Sequence, residues 1–405
     1  LQMSTDRISA FFRSFDKRFE IQEDCLPTKT SEEQIKVEEE IAVTVGQFLA
    51  TRVEGEKAPH FNRELHIAYV VSYLKQLPTS YQGLDSSRPW LCYWGVHSLN
   101  LLGYQMSEEM KSEIVTFLKT CVHPDGGYGG GPGQLGHLAT TYAAVLCLIS
   151  IGTEQALASI DRELTYKFLL ARHQPSGAYT MHHGGEEDIR APYLALVSAS
   201  LLKIIDSKLT DMVAEWIMSC QTYEGGFGGE PGMEAHGGYT FCAFACLCLL
   251  DKAKILDVNA VLKWLVRRQM KFEGGFQGRT NKHVDGCYSF WQGAVFRLID
   301  TELEREGMVP LDGAFDSRAL QEYILVCCQD PMGGLRDKPG VRRDLYHTCY
   351  VLSGLSVAQS FIDDKSLVLG GEESLVEDTH PIYNVIIPCE EAAREYYSSL
   401  SPIHK

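Results

Sequence analysis

Apolar residues in this chain fall into two kinds of stretch that alternate. One is amphipathic and helix-like and closes on Cys, His or Gln, as in Trp216-Ile217-Met218-Ser219-Cys220-Gln221. The other is small and apolar nearly all round, as in Tyr142 to Ile151, Tyr239 to Leu250 and Tyr288 to Ile299. Strict alternation of apolar and polar positions is scarce, so a strand reading fails and the pattern predicts helices throughout. A small-residue turn separates the two stretches: Asp125-Gly126-Gly127-Tyr128, Ser176-Gly177-Ala178-Tyr179, Glu224-Gly225-Gly226-Phe227, Glu273-Gly274-Gly275-Phe276 and Met332-Gly333-Gly334-Leu335. Successive first glycines are 51, 48, 49 and 59 residues apart, and Gln82-Gly83-Leu84 reads as a weaker sixth copy.

One repeat is therefore a helical hairpin, with glycines where the turn needs left-handed backbone and an aromatic peg under the next helix. Six hairpins can extend as an open solenoid or close into a ring of inner and outer helices. Helices that are apolar all round are buried on both sides, so those following the turns are expected to be the inner ones. The expected fold is all-α, a closed α/α toroid of six hairpins with the turn loops gathered at one end, where sites are usually placed. The expected division is an N-terminal helical extension over 1–60, the barrel over 61–365 and a tail over 366–405 that packs on it. Within the extension Ser31-Glu32-Glu33-Gln34 reads as a capping box before a helix carrying Ile41, Val45, Phe48 and Leu49 on one face. In the acidic tail, Pro381 and Pro388 are expected to break the chain before a short helix around Ala392 to Leu400.

The 405 residues are 45% apolar, ample for a large core. A formal charge of −16 argues against a broad nucleic-acid-binding surface, so an anionic ligand would need a local basic pocket. Thirteen cysteines, an odd number with many inside apolar runs, is the usage of reduced buried thiols, and no Asn-x-Ser/Thr acceptor occurs. No basic-then-apolar leader opens the chain, and its longest apolar run is ten residues against the roughly 20 of a spanning helix. A cytoplasmic protein without a transmembrane segment or a nucleic-acid partner is expected. The end Pro402-Ile403-His404-Lys405 has no cysteine four from the terminus, so the chain is expected to carry no prenylation signal of its own.

Two segments carry the candidate chemistry: Gly278 to Trp291, reading Gly-Arg-Thr-Asn-Lys-His-Val-Asp-Gly-Cys-Tyr-Ser-Phe-Trp, and Asp344-Leu345-Tyr346-His347-Thr348-Cys349-Tyr350. Both follow a glycine turn and so belong at one end of the barrel. Asp285 and Cys287 flank a glycine that lets both side chains converge, and His347 arrives from the next repeat. Three mixed ligands would leave a tetrahedral Zn²⁺ one open position. A buried cysteine beside a helix-capping aspartate reads the same pattern without a metal. Arg279 and Lys282, with His236 one repeat earlier, add a basic patch suited to an anion such as a diphosphate leaving group.

Gly278 to Trp291, Ala235-His236-Gly237-Gly238-Tyr239 and Leu335 to Gln359 closely resemble the protein prenyltransferase β subunits, and among them the farnesyl-transferring ones; the resemblance runs from about Trp90 to Gln359. It implies the closed α/α barrel. It also implies one zinc per subunit on Asp285, Cys287 and His347, and a diphosphate held by His236, Arg279, Lys282 and Tyr288. Gly237, Gly238, Thr280, Asn281, Ser289 and Phe290 fall inside the matching substrate-binding motifs. Tyr239, Trp291, Cys242, Arg190 and Tyr193 match the isoprenoid funnel, and Trp90, Trp94, Tyr346 and Tyr350 match residues that contact the peptide or close the funnel. The implied reaction transfers farnesyl from farnesyl diphosphate to the cysteine thiolate of a C-terminal Cys-aliphatic-aliphatic-X motif, in a heterodimer with an α subunit. Asp337 matches a position that helps bind Mg²⁺ on the diphosphate where geranylgeranyl-adding relatives carry lysine, and Trp90 matches a bulky funnel floor; both favour farnesyl.

Other residues carry blander readings. His182-His183 reads as a solvated loop, Cys242, Cys246 and Cys248 and the pair Cys327-Cys328 as core, and His137 as either a helix cap or part of the peptide pocket. The nearest rival function is a type I geranylgeranyltransferase β subunit. A terpene cyclase would need an aspartate-rich motif that Asp363-Asp364 does not complete, and a lanthionine-type cyclase would lack the Arg279/Lys282 cluster. A non-enzymatic helical-repeat scaffold would not need Asp285, Cys287 and His347 together.

Overall fold

In a computed structural model, residues 26–50, 59–311, 313–362, 364–365 and 368–403 are described; parts of the extension (1–25 and 51–58), residue 363 of the aspartate pair and the terminal pair 404–405 lie outside them. The described residues form helices joined by loops that contain only isolated β-bridges. Six inner helical segments, Arg88–Leu101, Leu138–Ile151, Arg190–Leu201, Gly237–Leu249, Tyr288–Trp291 continued by Gly293–Arg305, and Leu345–Ser360, pack each on the next, and the last closes on the first. Outside them run Arg63–Lys75, Glu108–Thr120, Arg162–Arg172, Val213–Ser219, Val258–Leu265 and Ser317–Tyr323. The ring is the closed toroid expected, with the all-round apolar stretches on the inside. No described helix is long and apolar enough to cross a membrane.

The five strong turns work as their sequences require. Each first glycine is left-handed, with φ between +83° and +105°; at Gly225 an added Cβ would lie 2.2 Å from the Ala260 carbonyl oxygen. The residues after the glycines, Tyr128, Tyr179, Phe227, Phe276 and Leu335, are all buried pegs. The weak sixth copy differs: Gly83 sits in a 3₁₀ stretch, Thr79–Ser87, with open space around it and no left-handed backbone. The Tyr288 to Ile299 stretch is also not one helix, since it breaks at Gln292, whose amide donates to the Gln277 carbonyl.

At the N-terminus the helix Lys29–Ala50 begins three residues earlier than the capping box predicts. Thr28 and Ser31 exchange hydrogen bonds, Thr28 N–H to Ser31 Oγ (2.8 Å) and Ser31 N–H to Thr28 Oγ1 (3.1 Å), so Thr28 is the cap. Val37, Ile41 and Val45 pack against Ile324–Cys328. Gln34 donates to Glu273 at 2.7 Å, whose second carboxyl oxygen is buried without a partner among the described residues. Burial pushes this carboxyl up to about 7, the Gln34 bond only partly offsetting it. The folded chain thus keeps a proton between about pH 4.5 and 7 that the unfolded chain has lost, so stability falls as pH rises through that window, by up to about 3 kcal/mol. Denaturant midpoints at pH 5 and pH 8 should show this loss in the wild type and a much smaller one in Glu273→Gln.

The tail closes one end of the bore. Tyr93 and Tyr193 hydroxyls donate to the carbonyls of Asn384 (2.6 Å) and Ile382 (2.7 Å), and Tyr383 meets Ser200 at 2.9 Å. The final helix, Ile387–Ser399, packs on Leu138–Ile151 and Arg190–Leu201. Pro388 starts this helix instead of breaking the chain, because proline in a first helical turn forfeits no internal hydrogen bond.

Candidate functional site at the open end of the barrel

The opposite end is built on one repeated position. Eleven residues after the first glycine of each strong turn stand His137, Asp188, His236, Asp285 and Asp344. Each side chain accepts a backbone N–H at the start of its inner helix, from Ala139 (3.0 Å), Arg190 (2.9 Å), Gly238 (3.1 Å), Cys287 (2.9 Å) and His347 (2.7 Å). The repeat thereby sets a ring of polar caps around the mouth.

Two adjacent members of this ring bring Asp285, Cys287 and His347 together, with one donor atom of each within 4.8 Å of the others. His347 Nε2 lies 3.3 Å from Asp285 Oδ1, while its Nδ1 is 2.7 Å from Asp344 Oδ2. Asp344 therefore fixes the imidazole so that Nε2 faces the other two donors, the usual outer support of a metal-bound histidine. Burial opposes charge on His347, but the hydrogen bonds to Asp285 and Asp344 outweigh it and raise its pKa to about 10. Burial pushes the Cys287 thiol well up, with Asp285 adding to the effect. Oxygen, sulfur and nitrogen donors packed this closely fit a metal ion, which would displace the protons now holding the cluster together. Nearby, the Asp337 carbonyl accepts from Gly286 N–H (2.8 Å) and the Tyr323 hydroxyl (2.6 Å); its carboxylate meets Lys338 Nζ at 2.9 Å through Oδ2 and leaves Oδ1 buried without a partner among the described residues, a position suited to a second cation.

One repeat back, His236 Nδ1 is occupied as the cap acceptor, so in the neutral ring the proton sits on Nε2, 2.9 Å from the Tyr288 hydroxyl. Burial, and then Arg279, lowers His236 to about 4, keeping it neutral near pH 7. Tyr288 consequently accepts from His236 and keeps its own O–H free to donate. Arg279 is anchored by Glu234 at 2.7 Å, a partner the sequence reading did not identify, and Lys282 is exposed on the loop before Asp285.

Beside these groups a cavity of about 370 Å³ enters the bore, lined by Trp90, Trp94, Arg190, Tyr193, His236, Gly238, Tyr239, Cys242, Tyr288, Trp291, Tyr346 and Tyr350, all singled out from sequence. Trp291 stacks on Tyr350 at 4.4 Å and donates to the Tyr346 hydroxyl at 3.1 Å, while Trp94 meets Tyr346 edge-on at 5.4 Å. Arg190 is held bidentate by its own cap, Asp188, at 2.9 and 2.6 Å. Other candidates lie elsewhere. Thr280 accepts from Arg268 and donates to Glu224, Asn281 forms an exposed left-handed turn, Gly237 N–H bonds to the Gly278 carbonyl, and Ser289 and Phe290 are buried in the core. The lining also includes Tyr142, Met181, Leu194 and Glu186, which sequence reasoning missed, and His137, which both caps its helix and faces the cavity. Register would have found Tyr142. It stands sixteen residues after its turn glycine, as Tyr193 does, and Cys242, Trp291 and Tyr350 stand seventeen after theirs.

Residues 61–385 match the family model described as the prenyltransferase alpha-alpha toroid domain. The chain is 42% identical to the protein farnesyltransferase subunit beta of Pisum sativum over 83% of this chain and 95% of that protein. It is 39% identical to the Arabidopsis thaliana protein of the same name, over 91% and 90%. The Arabidopsis thaliana geranylgeranyl transferase type-1 subunit beta is 30% identical over 76% and 88%. Among solved structures, the Candida albicans protein geranylgeranyltransferase-I complexed with GGPP superposes with a TM-score of 0.69 at 21% identity, covering 84% of this chain and 99% of that one, a likeness of fold.

Proposed function

The chain belongs to the protein prenyltransferase β-subunit family, and from that premise we propose that it is the catalytic β subunit of a protein farnesyltransferase. It would transfer farnesyl from farnesyl diphosphate to the cysteine of a C-terminal Cys-aliphatic-aliphatic-X motif, paired with an α subunit. The toroid of residues 61–365 would be the catalytic body, with the segments before and after it packed on it. The observation that carries the reading is the Asp285, Cys287 and His347 cluster, whose sequence neighbours Tyr288 and Tyr346 line the aromatic well together with His236. One zinc ion bound there would supply the positive charge that lowers a substrate thiol's pKa to give a thiolate at neutral pH.

The protein groups account for the rest. As the thiolate sulfur bonds to C1 of the farnesyl chain, the C1–oxygen bond breaks and the diphosphate leaves with its electron pair. Tyr288, its proton kept available by His236, donates to the oxygen that gains charge, and Arg279 and Lys282 offer cations to the same group. Asp337 would hold Mg²⁺ against the diphosphate through its unpartnered oxygen. The aromatic wall excludes water and fixes the chain's direction, and because the nucleophile is already a thiolate no protein base is needed. A hydrogen bond to a charged group is worth about 1.5–3 kcal/mol, so Tyr288→Phe is expected to slow the chemical step roughly 10- to 150-fold with little change in farnesyl diphosphate affinity. Single-turnover kinetics would check this; an unchanged rate would remove Tyr288 from the mechanism.

The test of the whole reading is co-expression with an α subunit, followed by metal analysis and transfer of labelled farnesyl or geranylgeranyl diphosphate to peptides ending in Ser or Leu. One zinc per heterodimer and farnesyl transfer to the Ser-ending peptide is the expected result. Geranylgeranyl transfer to the Leu-ending peptide would favour the type I geranylgeranyltransferase reading, for which the 30% identical Arabidopsis protein gives the specific ground. Absence of both zinc and transfer would return the chain to a helical-repeat scaffold.

A further inference from the structure

The closed end of the barrel holds a second cavity, of about 670 Å³, between the tail and four inner helices, Arg190–Leu201, Gly237–Leu249, Gly293–Arg305 and Leu345–Ser360. Among the described residues, five cations line it, Lys203, Arg297, Arg305, Lys365 and Arg394, against two acids, Asp378 and Glu390. This is an excess of positive charge in a chain of formal charge −16. Arg394 is held by Glu390 at 2.5 Å, and Arg305 by Glu302 at 2.7 Å. The other three are less committed. Arg297 is 3.9 Å from Glu304, beyond hydrogen-bond reach; Lys365 Nζ donates to the Gln359 carbonyl; and Lys203 has no ion pair among the described residues.

Lys203 also occupies a position where lysine is costly. Chain reversals after the inner helices use left-handed residues: Gly103, Gly152, Lys203, Asp251 and Gly307. Glycine adopts this conformation freely and lysine does not, and a strained side chain facing a cavity points to function. Capping does not explain the lysine, because Arg162 already donates to the carbonyls of Leu202 (2.9 Å) and Lys203 (3.1 Å) at that helix end. The geometry points to a binding site for a small, multiply phosphorylated anion in this cavity, held by Lys203, Arg297 and Lys365. It is separate from the mouth and does not rest on the prenyl-transfer reading. A cavity of this size accommodates a ligand larger than a single phosphate, and three cations from separate segments suit several phosphate groups better than one.

Isothermal titration of the α–β heterodimer with inositol hexakisphosphate, its mouth saturated with farnesyl diphosphate, tests the site. Binding is expected, weakened at least about tenfold in Lys203→Gly and in Lys365→Gln, each of which removes a charge-assisted contact. Lys203→Gly relieves the backbone, so its melting temperature should be equal to or above the wild type's and its prenyl transfer unchanged, which separates lost binding from lost folding. Vesicles containing phosphatidylinositol 4-phosphate form the second arm. Binding to vesicles alone, lost in the same variants, would keep the site and make its phosphate that of a lipid headgroup. No binding in either arm up to about 1 mM, or equal binding in wild type and variants, overturns the proposal.

Discussion

Cys287→Ala is expected to leave a folded heterodimer that no longer retains zinc and transfers farnesyl at least about a thousand times more slowly. The magnitude follows from two losses. A free cysteine thiol of pKa about 8.5 is only a few per cent thiolate at neutral pH, which costs roughly 30-fold. An untethered nucleophile also forfeits positioning, for which about two further orders of magnitude is a modest allowance. Asp285 and His347 alone give the metal two protein ligands, fewer than a catalytic zinc site uses. Cys287 is 4% exposed, and the change removes a single sulfur atom, so the fold should survive at a cost of about 1 kcal/mol. Metal content, melting temperature and farnesyl diphosphate affinity would be measured together. Lost zinc and lost transfer with the other two preserved is the expected pattern, and retained transfer would mean that the cluster is structural.

Trp90→Thr is expected to change which lipid is used. The Trp90 ring lines the well and packs 5.5 Å from Trp94 and 5.6 Å from Tyr142, so trimming it lengthens the cavity without touching the metal cluster or the Tyr288 donor. A geranylgeranyl chain is five carbons longer than farnesyl. Burying each additional carbon is worth about 0.8 kcal/mol, and accommodating most of the extra unit would favour the longer chain by roughly 3 kcal/mol, on the order of a hundredfold. Competition between the two diphosphates, read as a ratio of kcat/KM, should move toward geranylgeranyl by about that factor. An unchanged ratio would place the length limit elsewhere, with Tyr142 the next residue to examine.

The fold was largely legible because its repeat is physical. Left-handed glycines and buried pegs recur at nearly constant spacing, and the all-round apolar helices had to lie inside. What stayed hidden depends on contacts distant in sequence. The Glu234 anchor of Arg279 comes from another repeat, the tail reaches Tyr93 from nearly three hundred residues away, and the break at Gln292 is fixed by the Gln277 carbonyl. Tyr142 was missed for a different reason. It lies in a largely apolar run outside the motifs around Asp285 and His347, and its only signal is its register. Thr280 and Asn281, adjacent to Arg279 and Lys282 in sequence, face other neighbours because the loop turns left-handed at Asn281.

The ring of helix caps restricts how this mouth can evolve. A residue at any of its five positions must serve two masters, since it accepts the first backbone hydrogens of an inner helix and also either faces the bore, as His137 and His236 do, or holds or joins a working group, as Asp188 holds Arg190, Asp344 holds His347 and Asp285 joins the cluster. Only side chains that do both are admissible, chiefly aspartate, asparagine, serine, threonine and, as His137 and His236 demonstrate, histidine. Of these, aspartate and histidine are the ones that also bind metals well or move protons, and they are the residues found here. New chemistry on such a scaffold can therefore arise by exchanging letters within a short alphabet at fixed stations, each exchange altering the reaction while the helix behind it stays capped.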